Sequence, residues 1–274
     1  MVNTTAQTFH SAVSRIPVLR EFDIVDPSQI SWSLPPAGFT LGLDQIHVWA
    51  APLDLSPDDL DELASMLSAA ERERAMRFRF DLHRNRFIAG RGLLRAALGQ
   101  YLNTQPGRVE FVYGPNGKPS LSQTAAGTGI RFNLAHSEDL AVLAVMRDRD
   151  VGIDVERVRP IPEVEQLVAR FFSVRENAAF QALPEEQRAV AFFNLWTRKE
   201  AWLKATGEGI ARSLRRVEVS FLPGEPARLI HIEGSEEEAA RWRLFAFKPA
   251  EDFVAALACQ SCETEVNCWR WPGA

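Results

Sequence analysis

The order of segments along this chain repeats once, at an offset of about 110 residues. The stretch 110–121 resembles the stretch 218–229, because each has an acidic residue, then an aromatic residue, then two prolines. A long amphipathic helix precedes each stretch, and we match the helix ending in Leu94-Arg95 to the one ending in Leu203-Lys204. This period is too long for a solenoid repeat and is typical of two copies of one α+β unit. Chance similarity between amphipathic segments is the alternative.

The repeat predicts the domain organisation of the chain. We expect an α+β fold made by pseudo-twofold duplication, with a ligand cleft between the halves. Residues 45–149 would form the N-terminal half and residues 150–274 the C-terminal half. Residues 1–44 are rich in Ser, Thr and Pro and precede the repeat, so we expect a partly disordered extension there. Trp32 and Phe39 in this extension are expected to pack on the surface of the domain.

Local patterns predict the main elements. Alternation of apolar and polar residues indicates a first strand at 46–50. Amphipathic patterns predict long helices at 80–102 and 185–206, and Gly207 marks the end of the second. The segment 151–155 follows a charged turn and is predicted to be a strand.

Three carboxylates and one lysine stand out in these elements. Asp154 and Glu156 are two residues apart on the predicted strand, so their side chains would share one face. Glu200 lies about 40° around the helix from Trp196, which turns it towards the apolar face. An inward carboxylate is costly without a positive partner, and Lys204 lies one turn further along. Each acid by itself would be an ordinary surface acid, but together they form an all-oxygen site that favours Mg²⁺ over Zn²⁺.

Two motifs in this region resemble those of the Sfp-type 4′-phosphopantetheinyl transferases. They are Gly152-Ile-Asp154-Val-Glu156 and Trp196-Thr-Arg-Lys199-Glu200-Ala-Trp-Leu-Lys204, and the resemblance extends over most of the chain. It implies an enzyme that moves the 4′-phosphopantetheine group of coenzyme A to a serine of an apo acyl or peptidyl carrier protein. It also implies a requirement for Mg²⁺, release of 3′,5′-ADP, and a pseudo-twofold fold with coenzyme A between the halves.

The resemblance implies a role for each acidic candidate. Asp154, Glu156 and Glu200 would hold the metal, which places the metal site in the C-terminal half. Asp154, Glu200 and Lys204 would be the catalytic residues. Glu200 would be the base, directly or through a water on the metal, and Lys204 would stabilise the departing phosphate.

The same resemblance implies a set of residues that bind coenzyme A. Lys118 lies in a Gly-Lys-Pro motif and His136 in Phe-Asn-Leu-Ala-His-Ser, and both would contact the adenosine end and its 3′-phosphate. Arg74 aligns with a basic position that the family uses for the same phosphate. Arg86 is a weaker candidate on the long N-terminal helix. Lys204 would lie beside the bound phosphates.

Two positions depart from the family pattern. Ala135 stands where serine is common, which would remove one side-chain hydrogen bond. Glu71 stands where a basic residue is common, which would weaken the phosphate clamp, although its spacing from Ser68 is that of a capping box. A lone histidine is more often structural, and we assign that role to every histidine except His136.

Composition argues against several classes of partner and compartment. The net charge of −5 offers no global basic field for nucleic acid, and no run of 18 apolar residues could span a membrane. The N-terminus lacks the pattern of a secretory signal. Three cysteines, an odd number, argue against a disulfide framework and for a reducing compartment. We therefore expect a cytoplasmic protein, and we expect it to be a monomer.

Other signatures fit poorly. The glycine-rich stretch 114–119 is too short for a P-loop, and Cys259, Cys262 and Cys268 are one ligand short of a structural zinc site. Two functional alternatives stay open. One is another Mg²⁺-dependent phosphotransferase or phosphodiesterase, and the other is a non-catalytic module that binds carrier proteins. An inward cluster of carboxylates counts against the second.

Overall fold

A computed structural model of the chain describes residues 31–207, 214–260 and 264–272. The predicted extension up to residue 30 and Cys262 therefore lie outside the described residues. The first half contains β1 (Gln45–Pro52), α1 (Pro57–Ser65), α2 (Ala69–Ala75), α3 (Asp81–Leu102), β2 (Phe111–Tyr113), β3 (Pro119–Leu121), α4 (Gln123–Ala126), β4 (Ile130–Ser137) and β5 (Leu140–Arg147). The second half contains β6 (Val151–Arg157), α5 (Val164–Phe171), α6 (Val174–Gln181), α7 (Glu185–Thr206), β7 (Val217–Val219), β8 (Leu229–Ile232), α8 (Glu236–Ala240), β9 (Trp242–Phe247) and β10 (Phe253–Gln260), and β11 (Glu265–Arg270) ends the chain.

Both halves have the same order of elements: a strand, three helices, a hairpin, a short helix and two strands. β1, β5 and β4 are antiparallel neighbours in one sheet, and β6, β10 and β9 are antiparallel neighbours in a second. The predicted pseudo-twofold duplication is thus confirmed. β11 is an addition to the repeat, because it pairs in parallel with β1 and brings the end of the chain into the first sheet. Within the described residues, no helix is long and apolar enough to cross a bilayer.

A buried ion pair recurs in the two halves. Glu71 and Glu176 each complete a capping box at the start of a helix, and both are buried. Each glutamate also binds a cation of the long helix: Arg95 Nε lies 2.6 Å from Glu71 Oε2, and Lys199 Nζ lies 2.6 Å from Glu176 Oε2. Both cations then donate to backbone carbonyls in the connection that leads to the hairpin. Each half is therefore held together by one buried polar network.

This recurrence corrects the register of the predicted repeat. α3 and α7 each have 22 residues, and Arg95 and Lys199 are the fifteenth residue of their helices. Leu94-Arg95 is therefore equivalent to Arg198-Lys199, and the match to Leu203-Lys204 was wrong. The error arose because both matched pairs are a leucine followed by a basic residue, although a shift of five residues turns an α-helix by about 140°.

The alternation that predicted β1 does not correspond to one buried and one exposed face. Residues 46–51 are all buried, because one face of the strand packs on β6 and β10 and the other on α3. Even His47 is only 2% exposed, and its Nδ1 lies 2.9 Å from the Tyr101 hydroxyl. His47, the polar residue in the alternating pattern, is therefore buried and hydrogen-bonded, and it does not face solvent.

The described part of the N-terminal extension packs on both sheets. Trp32 lies edge-on to Phe247, with 5.9 Å between ring centroids, and its indole N–H donates to the Lys248 carbonyl. Phe39 lies 4.8 Å from the ring centroid of Trp269, on β11. These contacts agree with the expectation that both aromatic residues pack on the domain.

Candidate active site

β6 lies unusually close to α7, and Gly152 makes this possible. A Cβ atom at Gly152 would overlap the carbonyl oxygen of Ala201 and the backbone nitrogen of Ala205. Only glycine allows the two backbones to approach this closely. Asp154, two residues further along β6, is thereby brought beside the last turns of the helix.

Asp154 and Glu200 are buried together next to Lys204. Their exposed fractions are 5% and 2%. The Lys204 Nζ donates to Asp154 Oδ1 at 2.5 Å. Asp154 Oδ2 and Glu200 Oε1 are also buried, yet neither accepts a hydrogen bond from any described residue. An unsatisfied buried polar atom costs roughly 1–3 kcal/mol, so these two oxygens mark a place where a bound cation would offset that cost.

Burial and like charge raise the pKa values of both acids. Burial raises the pKa of Asp154 to about 6, although the charge and hydrogen bond of Lys204 act in the opposite direction. Burial, and then the charge of Asp154, raise the pKa of Glu200 to about 7. The negative charge of Glu156 contributes to both shifts. Glu200 therefore changes protonation near neutral pH, where a general base is most effective.

Glu156 lies at the edge of this group. Its Oε2 accepts a hydrogen bond of 2.7 Å from Ser137 Oγ and lies 3.7 Å from Arg159 Nη1. Within the described ranges, no three Asp, Glu, His or Cys side chains converge as a complete metal site. The structure thus brings Asp154 and Glu200 together, and it holds Glu156, on the same face of β6 as Asp154, through Ser137 and Arg159. The assignment of all three as metal ligands stays a prediction.

The chemistry of these side chains nevertheless fits a hard divalent cation. All three acids offer carboxylate oxygens, which Mg²⁺ prefers, and they offer no nitrogen or sulfur. The unsatisfied oxygens of Asp154 and Glu200 have lone pairs available for a cation. Lys204 balances part of the charge of Asp154, and Arg159 lies beside Glu156.

His136 and Arg86 border the acidic group from the N-terminal half. His136 lies on β4, and partial burial followed by the charge of Lys204 lowers its pKa, whereas Glu156 acts in the opposite direction. Arg86 is held by Asp54 through two hydrogen bonds of 2.7 and 2.8 Å. The predicted contacts of both residues with coenzyme A stay predictions.

Lys118 caps the end of α7. Its Nζ donates to the carbonyl oxygens of Lys204, Ala205 and Val151, which engages all three of its hydrogens. A positive charge at a helix C-terminus stabilises the last carbonyls. Burial lowers the pKa of Lys118. In this arrangement Lys118 positions the turn that carries Lys204, and its contact with the 3′-phosphate stays a prediction.

Arg74 lies on a cavity of 560 Å³ in the N-terminal half. Its guanidinium is 5.2 Å from the ring centroid of Phe87 and forms no ion pair with any described residue. Glu71 is buried, and Arg91 and Arg95 already neutralise its charge. Glu71, which departs from the family pattern, is therefore part of the internal network of this half. Arg74 is exposed, and its contact with the 3′-phosphate stays a prediction.

Comparisons with known proteins agree with this geometry. A model described as "4'-phosphopantetheinyl transferase, N-terminal" matches residues 53–148, and one described as "4'-phosphopantetheinyl transferase superfamily" matches residues 150–258. The chain is 43% identical to 4′-phosphopantetheinyl transferase HetI of Nostoc sp. over 243 residues. This alignment covers 89% of this chain and 99% of that protein. The chain belongs to the 4′-phosphopantetheinyl transferase superfamily.

Other relatives of this transferase are more distant. A putative 4′-phosphopantetheinyl transferase of Synechocystis sp. is 32% identical and covers 82% of this chain and 90% of that protein. The 4′-phosphopantetheinyl transferase psf-1 of Bacillus pumilus is 31% identical, and the alignment covers 76% of this chain and 91% of that protein. A crystal structure of a holo-(acyl-carrier-protein) synthase from Bacillus anthracis, in complex with CoA (3′,5′-ADP), matches at a TM-score of 0.34 and 22% identity over 42% of this chain and 96% of that chain.

Two polar residues that join the halves of the transferase belong to the quoted motif at 132–137, but the sequence analysis gave neither of them a role. Asn133 Oδ1 accepts a hydrogen bond of 2.8 Å from the Ile153 N–H, and Ser137 Oγ accepts one of 3.2 Å from the Arg157 N–H. Both side chains are buried, and they lie on the same face of β4. Buried polar residues on one face of a strand were the available signal, because such residues almost always have a partner.

The transferase without metal is expected to lose stability as the pH rises from about 4.5 to about 7. The pKa values of Glu200 and Asp154, about 7 and about 6, are higher when folded than in an unfolded chain, so the folded state binds more protons in this window. Glu200→Gln should therefore reduce the fall in the free energy of unfolding, measured by urea denaturation with a chelator present. Glu186→Gln, on the exposed face of the same helix, is the control. An unchanged pH dependence in Glu200→Gln would contradict the raised pKa.

Proposed function

We propose that this transferase moves the 4′-phosphopantetheine group of coenzyme A to a serine hydroxyl of an apo acyl or peptidyl carrier protein. The reaction would require Mg²⁺ and release 3′,5′-ADP. The observation that carries the proposal is the pair of buried, unsatisfied carboxylate oxygens on Asp154 and Glu200, beside Lys204. Transfer from a diphosphate needs positive charge against the leaving group and an acceptor for the hydroxyl proton, and this group of residues supplies both.

Each side chain has a separate task in this reaction. Asp154, Glu156 and Glu200 would hold Mg²⁺, which when bound supplies Lewis-acid stabilisation of the diphosphate. Glu200 would accept the proton of the carrier serine at a carboxylate oxygen. The Lys204 ammonium would offset the negative charge that develops on the departing 3′,5′-ADP.

Coenzyme A would lie between the halves. His136 on β4 and Lys204 on α7 come from different halves, yet they are close enough for Lys204 to lower the pKa of His136. Lys118 extends from the β2–β3 hairpin to the end of α7 and so also connects the halves. A ligand that crosses this boundary would meet basic groups from both sides.

The intact mass of an apo carrier protein, incubated with the transferase, coenzyme A and Mg²⁺, separates the candidate functions. Addition of one phosphopantetheine group to the carrier supports the proposal. Breakdown of coenzyme A with an unmodified carrier would favour a phosphodiesterase. Binding of the carrier without any change in either molecule would favour the non-catalytic module.

Dephospho-coenzyme A, which lacks the 3′-phosphate, is expected to show a raised KM and a largely preserved kcat. Charge-assisted hydrogen bonds to a phosphate contribute roughly 1.5–3 kcal/mol each, which corresponds to about 10- to 150-fold in KM. The phosphate is distant from the reacting diphosphate, so its loss removes binding and leaves the chemical step nearly unchanged. Steady-state kinetics with both substrates would measure this.

Arg74→Ala should reduce the preference for coenzyme A over dephospho-coenzyme A, because its guanidinium, which has no ion pair among the described residues, is the proposed phosphate ligand. His136→Ala should act in the same direction. Arg77→Ala is a matched control, since Arg77 lies three residues away and is exposed in an ion pair with Glu73. If Arg74→Ala slowed both substrates by the same factor, Arg74 would have no role at the 3′-phosphate.

A further inference from the structure

β4 of the N-terminal half and β6 of the C-terminal half lie side by side without sharing a sheet. Side chains replace the backbone ladder between them. The Ile153 N–H donates to Asn133 Oδ1, and four residues further along both strands the Arg157 N–H donates to Ser137 Oγ. The two strands therefore run in parallel, in a register that two side chains set. Asp154 and Glu156 lie between these two points.

Ser137 makes a second hydrogen bond that Asn133 does not make. Its hydroxyl donates to Glu156 Oε2 at 2.7 Å while its oxygen accepts from the Arg157 N–H. A serine hydroxyl has one hydrogen, so this arrangement fixes the direction of the donor. Ser137 is only 8% exposed, which leaves little room for water to take its place.

The orientation of Glu156 matters because its charge acts on both buried acids. Glu156 is close enough to Asp154 and Glu200 to contribute to the electrostatics of each. Without Ser137, the partner that remains is Arg159, at 3.7 Å and with a side chain that is 51% exposed. An exposed ion pair of this kind orients a carboxylate weakly. The buried hydroxyl is therefore the contact that keeps Glu156 facing the site.

We propose that Ser137 is a positioning residue of the transferase, whose hydroxyl orients the Glu156 carboxylate towards Asp154 and Glu200. The proposal rests on the proposed metal-binding function of these acids. Groups that hydrogen-bond to metal ligands typically change metal affinity by about 10- to 100-fold when they are removed. Ser137 would act in this way through Glu156, without touching substrate or metal.

The test measures how tightly the full chain binds Mn²⁺ when coenzyme A is bound and no carrier protein is present. Electron paramagnetic resonance follows the signal of the free Mn²⁺ ion. We expect Ser137→Ala to bind Mn²⁺ about 10-fold more weakly than the wild type. Ser137→Thr keeps the hydroxyl and should restore most of the affinity. Asn133→Ala removes the other contact between the strands but no contact to Glu156, so its affinity should stay near that of the wild type.

Hydrogen exchange provides a second measurement that does not depend on metal. Ser137→Ala should speed hydrogen exchange at the Arg157 amide, and Asn133→Ala should speed it at the Ile153 amide. Faster exchange at that amide, with protection kept elsewhere, would show that the variant is folded and has lost the intended contact. If Ser137→Ala bound Mn²⁺ as tightly as the wild type, or if Asn133→Ala lost as much affinity as Ser137→Ala, the positioning role of Ser137 would be overturned. Either result would leave the metal assignment standing. Failure of the wild-type protein to bind Mn²⁺ would overturn the metal assignment as well.

Discussion

Asp154→Ala is expected to lower the rate of carrier modification by roughly 1,000-fold while the fold stays intact. The carboxylate is the partner of Lys204 and provides one of the two unsatisfied oxygens of the site. Its loss would remove several kcal/mol of stabilisation of the charge that develops in the transition state. The fold should tolerate the change because burial disfavours the charged carboxylate, as its raised pKa indicates, and because the Lys204 side chain is 29% exposed and can be hydrated.

Mass spectrometry of the carrier protein gives the rate, and urea unfolding gives the stability. Asp61→Ala removes an exposed acid of the N-terminal half and should have wild-type activity. Full activity of Asp154→Ala at ordinary Mg²⁺ concentrations would refute the assignment of Asp154 to the metal. Inactivity accompanied by unfolding would show instead that the residue is structural.

Lys199→Met is expected to lower the free energy of unfolding by about 3–5 kcal/mol. The Lys199 ammonium is fully buried and donates to Glu176 Oε2 at 2.6 Å and to the Leu214 carbonyl at 2.7 Å. Methionine has a similar length but no charge, so the Glu176 carboxylate would stay buried without its cation. Urea unfolding near neutral pH, followed by tryptophan fluorescence, measures the change.

Two further variants separate loss of the ion pair from a general effect of the substitution. Lys248→Met alters an exposed lysine and should change the free energy of unfolding by less than about 0.5 kcal/mol. The double variant with Lys199→Met and Glu176→Gln should recover part of the loss, because it removes the buried charge as well as its partner. Equal stability of Lys199→Met and Lys248→Met would show that the ion pair contributes nothing.

The position of Lys199 also explains a feature of the family motif. Lys199 and Glu200 are adjacent on α7, so their side chains leave the helix about 100° apart. Lys199 joins the network that holds the C-terminal half together, whereas Glu200 faces Asp154 and Lys204. Neighbouring residues of one motif thus serve stability and chemistry separately.

The sequence by itself determined those features that depend on a few neighbouring residues. Helix α7 ends at Gly207, as predicted, because a residue in the left-handed conformation stops the helix there. The capping box predicted from the spacing of Ser68 and Glu71 was confirmed, because its two hydrogen bonds join residues only three positions apart. The spacing of Asp154 and Glu156, and of Glu200 and Lys204, indicated an acidic site. The two motifs that contain these residues carried the resemblance to the family.

Only the tertiary structure decided which partner each polar group has. Lys118 donates to the Lys204 carbonyl, which is 86 residues away. Ser137 binds Glu156 across the boundary between the halves, and β11 pairs with β1 from the other end of the chain. Such a choice depends on which acceptors the packing of the two halves brings within about 3 Å, and no local pattern of residues encodes that distance.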